Sequence, residues 1–337
     1  MELHHYDHAA ELPLETGGVL PGFRLAYTTA GTLNAARSNV IWICHALTAN
    51  AEAGAWWPGM IGPGKVFDTD THFVVCANVL GSCYGSTGPL SVDPRTGAPY
   101  FHTFPTLTIR DLVGALVKLR EHLQIERIEL LTGASLGGQQ AVEWAVAEPE
   151  RVKFMVLMAT NALHSPWGVA FNETQRMSIE LDPTWRESQP AAGLAGMRAA
   201  RAAALLSYRN YTAYQKSQAE EDVERWEAFK AASYQRYQGE KLARRFDAFS
   251  YHLLSRTMDS HHVGRGRGSA VAALGRVRAN TLTVGISSDI LFPTSEQLFL
   301  FEHIPTGTYV EIDSDYGHDG FLIEVPQLTR CVNHWRR

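Results

Sequence analysis

The chain has 337 residues, 45% of them hydrophobic, and a formal net charge of −5. That length and apolar content suit one large globular domain or two ordinary ones, and the acidic balance excludes a protein held to nucleic acid by phosphate contacts. No apolar run reaches the ~18 residues a membrane span needs, and the four cysteines (Cys44, Cys76, Cys83, Cys331) form no C-x-x-C pair, which points to reduced thiols in a cytoplasmic protein and to no zinc site.

The first 18 residues are polar and acidic, include three histidines, and lack the basic and apolar regions of a signal peptide. Residues 23–28 alternate as a half-exposed strand does. Residues 40–44 and 73–77 are continuous apolar runs, the pattern of strands buried on both faces. Residues 81–89 are glycine-rich but lack the lysine and following helix of a phosphate loop, so they predict a tight loop beside a pocket, with Cys83 a small packed residue. Residues 109–123 place Leu112, Leu116, Leu119 and Leu123 on one helical face.

The apolar run 128–131 leads into Gly133-Ala134-Ser135-Leu136-Gly137, and residues 139–147 continue as a helix. A serine between two glycines at a strand-to-helix turn is a nucleophile elbow. The strained serine holds its hydroxyl clear of the turn, and the glycines let strand and helix approach where a Cβ would clash. Residues 154–158 predict a further strand. Strand and helix in alternation imply a parallel sheet. From 164 to 264 the composition turns to Ala, Arg, Glu, Gln, Trp and Tyr, with helices over 191–208 and 220–236. Arg265-Gly266-Arg267 is a solvated loop, and strands resume at 281–286 and 309–312. The expectation is an α/β-hydrolase fold with a mostly parallel central sheet. Its core spans 1–163 and 265–337, and a helical cap is inserted at 164–264.

A serine hydroxyl needs a base to take its proton. On this fold the order along the chain is serine, acid, histidine. Asp289 lies just past the strand at 281–286, and His318 lies in a glycine-rich loop past the strand at 309–312. Both are at carboxyl ends of strands, where the sites of open parallel sheets form. His303 and His334 follow no strand directly. Asp313, Asp315 and Asp319 are too near His318 in sequence to reach its far nitrogen. The expected triad is therefore Ser135, Asp289 and His318, with His318 as base and Asp289 fixing its tautomer. The oxyanion donors are the amides of Leu136, directly after the nucleophile, and of Leu47, in the loop after the strand at 40–44.

Taken together, the motifs resemble the homoserine O-acetyltransferase family. They are Cys44-His45-Ala46-Leu47-Thr48, Ile61-Gly62-Pro63-Gly64-Lys65 with Phe67-Asp68-Thr69, and Asn78-Val79-Leu80-Gly81 through Gly88-Pro89. The elbow with Glu143-Trp144-Ala145, Phe171-Asn172-Glu173 with Arg176, Arg245-Phe246-Asp247-Ala248 and Gly317-His318-Asp319 complete the set. The likeness covers nearly the whole chain. It implies ping-pong transfer of an acyl group from acetyl-CoA or succinyl-CoA through Ser135 to L-homoserine, with no permanently bound cofactor. The alternatives are a succinyl donor, a serine acceptor, or esterase chemistry. The resemblance also implies that Arg201 binds the acceptor carboxylate, that Tyr208 stands near the donor or acceptor, and that Asp319 binds the ammonium group. A homodimer formed through the cap helices is implied as well. Gly81-Ser82-Cys83, Ala134-Ser135-Leu136 and Ala49-Asn50 depart from the family's usual residues, and are expected to line or support the acyl pocket.

Overall fold

The computed structural model describes residues 1–336. Strand β1 (Glu2–His8) is followed by a short ribbon of β2 (Leu12–Pro13) and β3 (Val19–Leu20). Next come β4 (Phe23–Ala30), β5 (Val40–Cys44), the one-turn helix α1 (Ala53–Trp56) and β6 (Phe73–Ala77). Helix α2 (Ile109–His122) leads to β7 (Ile128–Ala134), α3 (Leu136–Ala147) and β8 (Val152–Met158). Five helices then follow without a strand: α4 (Pro166–Glu180), α5 (Leu194–Tyr208), α6 (Tyr211–Gln218), α7 (Lys230–Ala243) and α8 (Ala248–Asp259). The short α9 (Ala270–Leu274) returns the chain to β9 (Asn280–Ile286). Then come α10 (Thr294–His303), β10 (Gly307–Ile312), α11 (Gly320–Ile323) and α12 (Val325–Trp335).

Eight strands form one sheet in the order β1-β4-β6-β5-β7-β8-β9-β10. All pairs from β6 to β10 are parallel, and only β4 runs against its neighbours. Alternation along the buried central strands divides the core between the two faces of the sheet. Trp42, Val75 and Leu131 join one cluster with α2 and α3. Ile41, Ile43, Val74 and Leu130 join the other with α12. Trp42 meets Trp144 of α3 edge-to-face, with centroids 5.0 Å apart. Helix α2 begins at a capping box between Thr108 and Asp111 and buries Leu112, Leu116 and Leu119.

The structure corrects one of these readings and adds to two others. The polar N-terminus forms β1, an antiparallel edge strand that half-buries His4, Tyr6 and His8 on alternate positions; its inward residues are aromatic and titratable, so no apolar alternation announces it. The helix expected over 220–236 starts only at Lys230. The stretch before it exposes Val223 and Trp226 by 91% and 82%, so no buried face rewards helix formation there. Residues 265–267 form the expected turn, with Arg265 and Gly266 exposed, but its two arginines are paired. Arg267 chelates Glu143 at 2.6 and 2.8 Å, and Arg265 reaches Glu15 at 3.1 Å. Arg110 joins both acids, at 2.6 Å to Glu15 and 3.1 Å to Glu143.

The tightest packing lies at the elbow. A Cβ on Gly137 would stand 2.1 Å from the Cys44 carbonyl oxygen, and one on Gly133 would stand 2.2 Å from the Gly137 carbonyl oxygen. Both clashes are with backbone, which cannot swing aside as a side chain can. Gly137→Ala is therefore expected to lower stability by at least the ~1–3 kcal/mol typical of overpacking. Thermal or urea unfolding measures this, and an unchanged midpoint would show that the strand and helix can part freely.

Candidate active site

Ser135 caps α3 with φ 55 and ψ −127, a backbone conformation a serine rarely adopts. Its neighbours hold it there. Its amide is shared between the Met158 and Ala159 carbonyls, each at 3.2 Å, and its carbonyl accepts from the Thr160 hydroxyl at 2.9 Å. The end of β8 thus grips the elbow from both sides.

His318 sits in a short 3-10 turn, Gly317–Asp319, after β10. Gly317 has φ +62, and a Cβ there would press on the Arg209 backbone at 2.9 Å, so the His318 loop lies directly against the end of α5. The His318 Nδ1–H donates to Asp289 Oδ2 at 2.7 Å. The other carboxylate oxygen of Asp289 accepts the amides of Leu291 and Phe292, at 2.8 and 2.9 Å. Phe292 stacks on the imidazole at 5.1 Å, Phe321 meets it edge-on at 5.4 Å, and Tyr208 lies 5.9 Å away. The ring's plane and tautomer are fixed from several directions. Burial pushes the imidazole down, but the Asp289 charge and hydrogen bond, aided by Asp319 and Glu296, outweigh it and raise His318 above its ordinary value.

The loop that carries Leu47 hangs on His45. This fully buried ring donates from Nδ1 to the Ala46 carbonyl at 2.9 Å and accepts the Val79 amide on Nε2 at 3.1 Å. Burial pushes its imidazole down to about 4, so it stays neutral and holds both bonds. Among the described residues, the amides of Leu47 and Leu136 have no hydrogen-bond partner. For Leu136, the first residue of α3, a helix start leaves the donor free.

Ser135, His318, Leu47, Arg201, Tyr208 and Asp319 line one cavity of about 450 Å³. A larger open groove, about 790 Å³, lies between β4 and the 82–88 loop, but neither Ser135 nor His318 lines it. Arg201 and Tyr208, two turns apart on α5, stack with the guanidinium 5.2 Å from the ring. Asp319 forms an ion pair with Arg209 at 3.1 Å. Burial pushes the Asp319 carboxyl up, and Arg209, Arg201 and His318 oppose that rise.

Arg209 and Glu296 are members of the site that sequence reasoning missed. Glu296 lies in the first turn of α10 and accepts from Asn161 Nδ2 at 2.8 Å. Burial pushes its carboxyl up to about 7, against the hydrogen bonds from Asn161 and Ser165. Only its place in the first helical turn after the Asp289 loop could have signalled it. Among the described residues, no group of three or more His, Cys, Asp or Glu side chains could hold a metal ion.

A family model described as the α/β-hydrolase fold matches residues 39–325. A homoserine O-acetyltransferase from Cyclobacterium marinum is 51% identical over 317 residues, which cover 94% of this chain and 90% of that protein. The chain belongs to the homoserine O-acetyltransferase family, on the α/β-hydrolase fold. The crystal structure of the homoserine O-acetyltransferase from Bacillus anthracis superposes with TM-score 0.89 at 26% identity, covering 99% of this chain and 98% of that one. An acetylester hydrolase from Corynebacterium glutamicum superposes with TM-score 0.86 at 25% identity, covering 99% and 96%.

The places where this chain departs from the homoserine O-acetyltransferase pattern divide in the structure. Ala49 and Asn50 line the cavity, whereas Ala134 and Leu136, on either side of Ser135, are buried and do not. Ser82 and Cys83 do not; they line the open groove instead. The Gly81 loop reaches the site only indirectly, through Tyr84, which hydrogen-bonds Arg245. Burial pushes the Cys83 thiol up to about 12, in keeping with a packed residue.

Two variants test the electrostatics around His318. Asp289→Asn keeps acceptors for the Leu291 and Phe292 amides but offers the wrong group to Nδ1. The expected loss is about 10⁴-fold in kcat with an unchanged unfolding midpoint, and a loss under tenfold would count against the pairing. Only neutral imidazole can take the serine proton, so kcat/KM should rise with pH along a limb centred above the ordinary ~6.5. Glu296→Gln removes one neighbouring anion, favours the neutral ring, and should move that limb to lower pH. A limb that stays in place would remove Glu296 from the account.

Proposed function

We propose that this chain is an L-homoserine O-acetyltransferase working through an acyl-serine intermediate. One observation supports this most: the imidazole bonded to Asp289 opens on the same cavity as Ser135, Arg201 and Asp319. A triad alone serves hydrolysis as well. A triad facing a half-buried arginine and a half-buried carboxylate suits an amino-acid acceptor. The name of the relative at 51% identity agrees.

In this reading His318 Nε2 takes the Ser135 proton as Oγ attacks the carbonyl of acetyl-CoA. The Leu47 and Leu136 amides meet the oxyanion. The tetrahedral adduct collapses, the C–S bond breaks, and His318 returns the proton to the departing CoA thiolate. The γ-hydroxyl of homoserine then attacks acetyl-Ser135 and gives its proton to His318. The C–Oγ bond breaks and Oγ takes that proton back. Asp289 keeps Nδ1 protonated throughout and offsets the imidazolium charge. Arg201 binds the acceptor carboxylate, Asp319 the ammonium group, and Tyr208 packs beside the acceptor. Succinyl-CoA as donor, or serine as acceptor, would use the same steps.

Residues 164–264 serve as the cap that shelters acetyl-Ser135 from water, and the core comprises 1–163 and 265–337. The active form is a cytoplasmic homodimer joined through the cap helices. Its only partners in turnover are the small-molecule substrates, and it needs no resident cofactor. Among the described residues no helix is long and apolar enough to cross a membrane.

Thiol release from acetyl-CoA tests the reading. The expected result is CoA release that depends on homoserine and is abolished in Ser135→Ala. Release without an acceptor, or turnover of simple acetyl esters alone, would favour the esterase reading suggested by the superposition on an acetylester hydrolase. Arg201→Ala should raise KM for homoserine by about 10–100-fold, the scale of a lost charge-assisted bidentate pair. Succinyl-CoA and serine, assayed in parallel, fix the donor and acceptor.

A further inference from the structure

The catalytic cavity changes character along its length. At the buried end lie Ser135 and His318, 5% and 3% exposed. At the open end lie Lys241 of α7 and Arg245 just beyond it, both exposed. The wall between carries Trp56 and Leu322, partly buried and apolar.

The charges in this cavity do not balance. Its acid, Asp319, is already paired with Arg209. Among the described residues, Arg201, Lys241 and Arg245 have no carboxylate within ion-pair distance, in a protein whose net charge is −5. Arg245 is held in place: one terminal nitrogen donates to the Thr48 carbonyl at 2.6 Å and to the Tyr84 hydroxyl, and the rest of the fork stays free. Fixing an arginine at a cavity mouth without neutralising it prepares a site for an anion from outside. Arg201 answers the single carboxylate of an amino-acid acceptor. The cations at the mouth then need a second anion, on a molecule long enough to reach Ser135 from the surface and neutral along its middle.

Resting on the acetyltransferase reading, we infer that Lys241 and Arg245 bind the phosphorylated far end of the acyl thioester while its neutral arm lies along Trp56 and Leu322. The mouth then selects the donor by its phosphates rather than by its acyl group. The acyl group is left to the buried end, beside Ala49 and Asn50.

The test compares acetyl-CoA with S-acetylpantetheine, which carries the same thioester and arm but no phosphate, at saturating homoserine. Wild type should prefer acetyl-CoA in kcat/KM, and the preference should shrink as salt rises. Lys241→Glu should cut the ratio of the two kcat/KM values by about tenfold, and Lys241→Gln by less. Equal losses on both donors, or a wild type that does not distinguish them, would overturn the inference while leaving the acyltransferase intact. Mass spectrometry of Ser135 separates the two failures. No acetylation by either donor would overturn the acyltransferase reading itself and this inference with it.

Discussion

Gly137 has no Cβ, and one built there would sit 2.1 Å from the Cys44 carbonyl. The absence of that atom lets the first turn of α3 press against the end of β5, and two parts of the site follow from the contact. Ser135 is thrown into its strained conformation at the sharp turn, and the His45–Leu47 loop, which leaves β5 at that point, is brought beside it. The strain is offset by specific bonds, the Thr160 hydroxyl on the Ser135 carbonyl and the bifurcated Ser135 amide, so the turn is overdetermined.

The His318 imidazole is tuned by opposing forces, burial on one side and neighbouring carboxylates on the other. Burial alone would make His318 a weak base that stays neutral, as it does for His45. The carboxyls around His318 reverse the sign, with Asp289 in contact and Asp319 and Glu296 farther off. Two residues of one type, both at the ends of parallel strands, thus take opposite roles. His45 is held neutral as a hydrogen-bonding strut, and His318 is poised to accept and hold a proton.

Much of this was legible in the sequence where the signal was local. The elbow, the continuous apolar strands at 40–44 and 73–77, and the leucine face of α2 all depend on residues within one element. Asp289 and His318 were legible because parallel strands deliver their carboxyl ends to one edge. What was hidden depends on distant partners. Arg265 and Arg267 look solvated until the fold brings up Glu15 and Glu143. Arg209, at the end of α5, and Glu296, in the first turn of α10, are ordinary helix-end residues until Asp319 and Asn161 arrive. β1 was hidden because an edge strand that half-buries histidine and tyrosine carries no apolar rhythm.

The pairing of β8 with β9 spans all five helices of the insert. On a ribosome, Ser135 and the His45–Leu47 loop are synthesised long before Asp289 and His318 can dock. The six strands through β8 must wait with one edge open until β9 emerges. Contacts so far apart in sequence close slowly, and an open edge invites pairing with another chain. The helical block between them emerges during that interval, and its folding shortens the distance β9 must search. Ser135, Asp289 and His318 therefore come together only when β9 and β10 lock into a sheet already most of the way built.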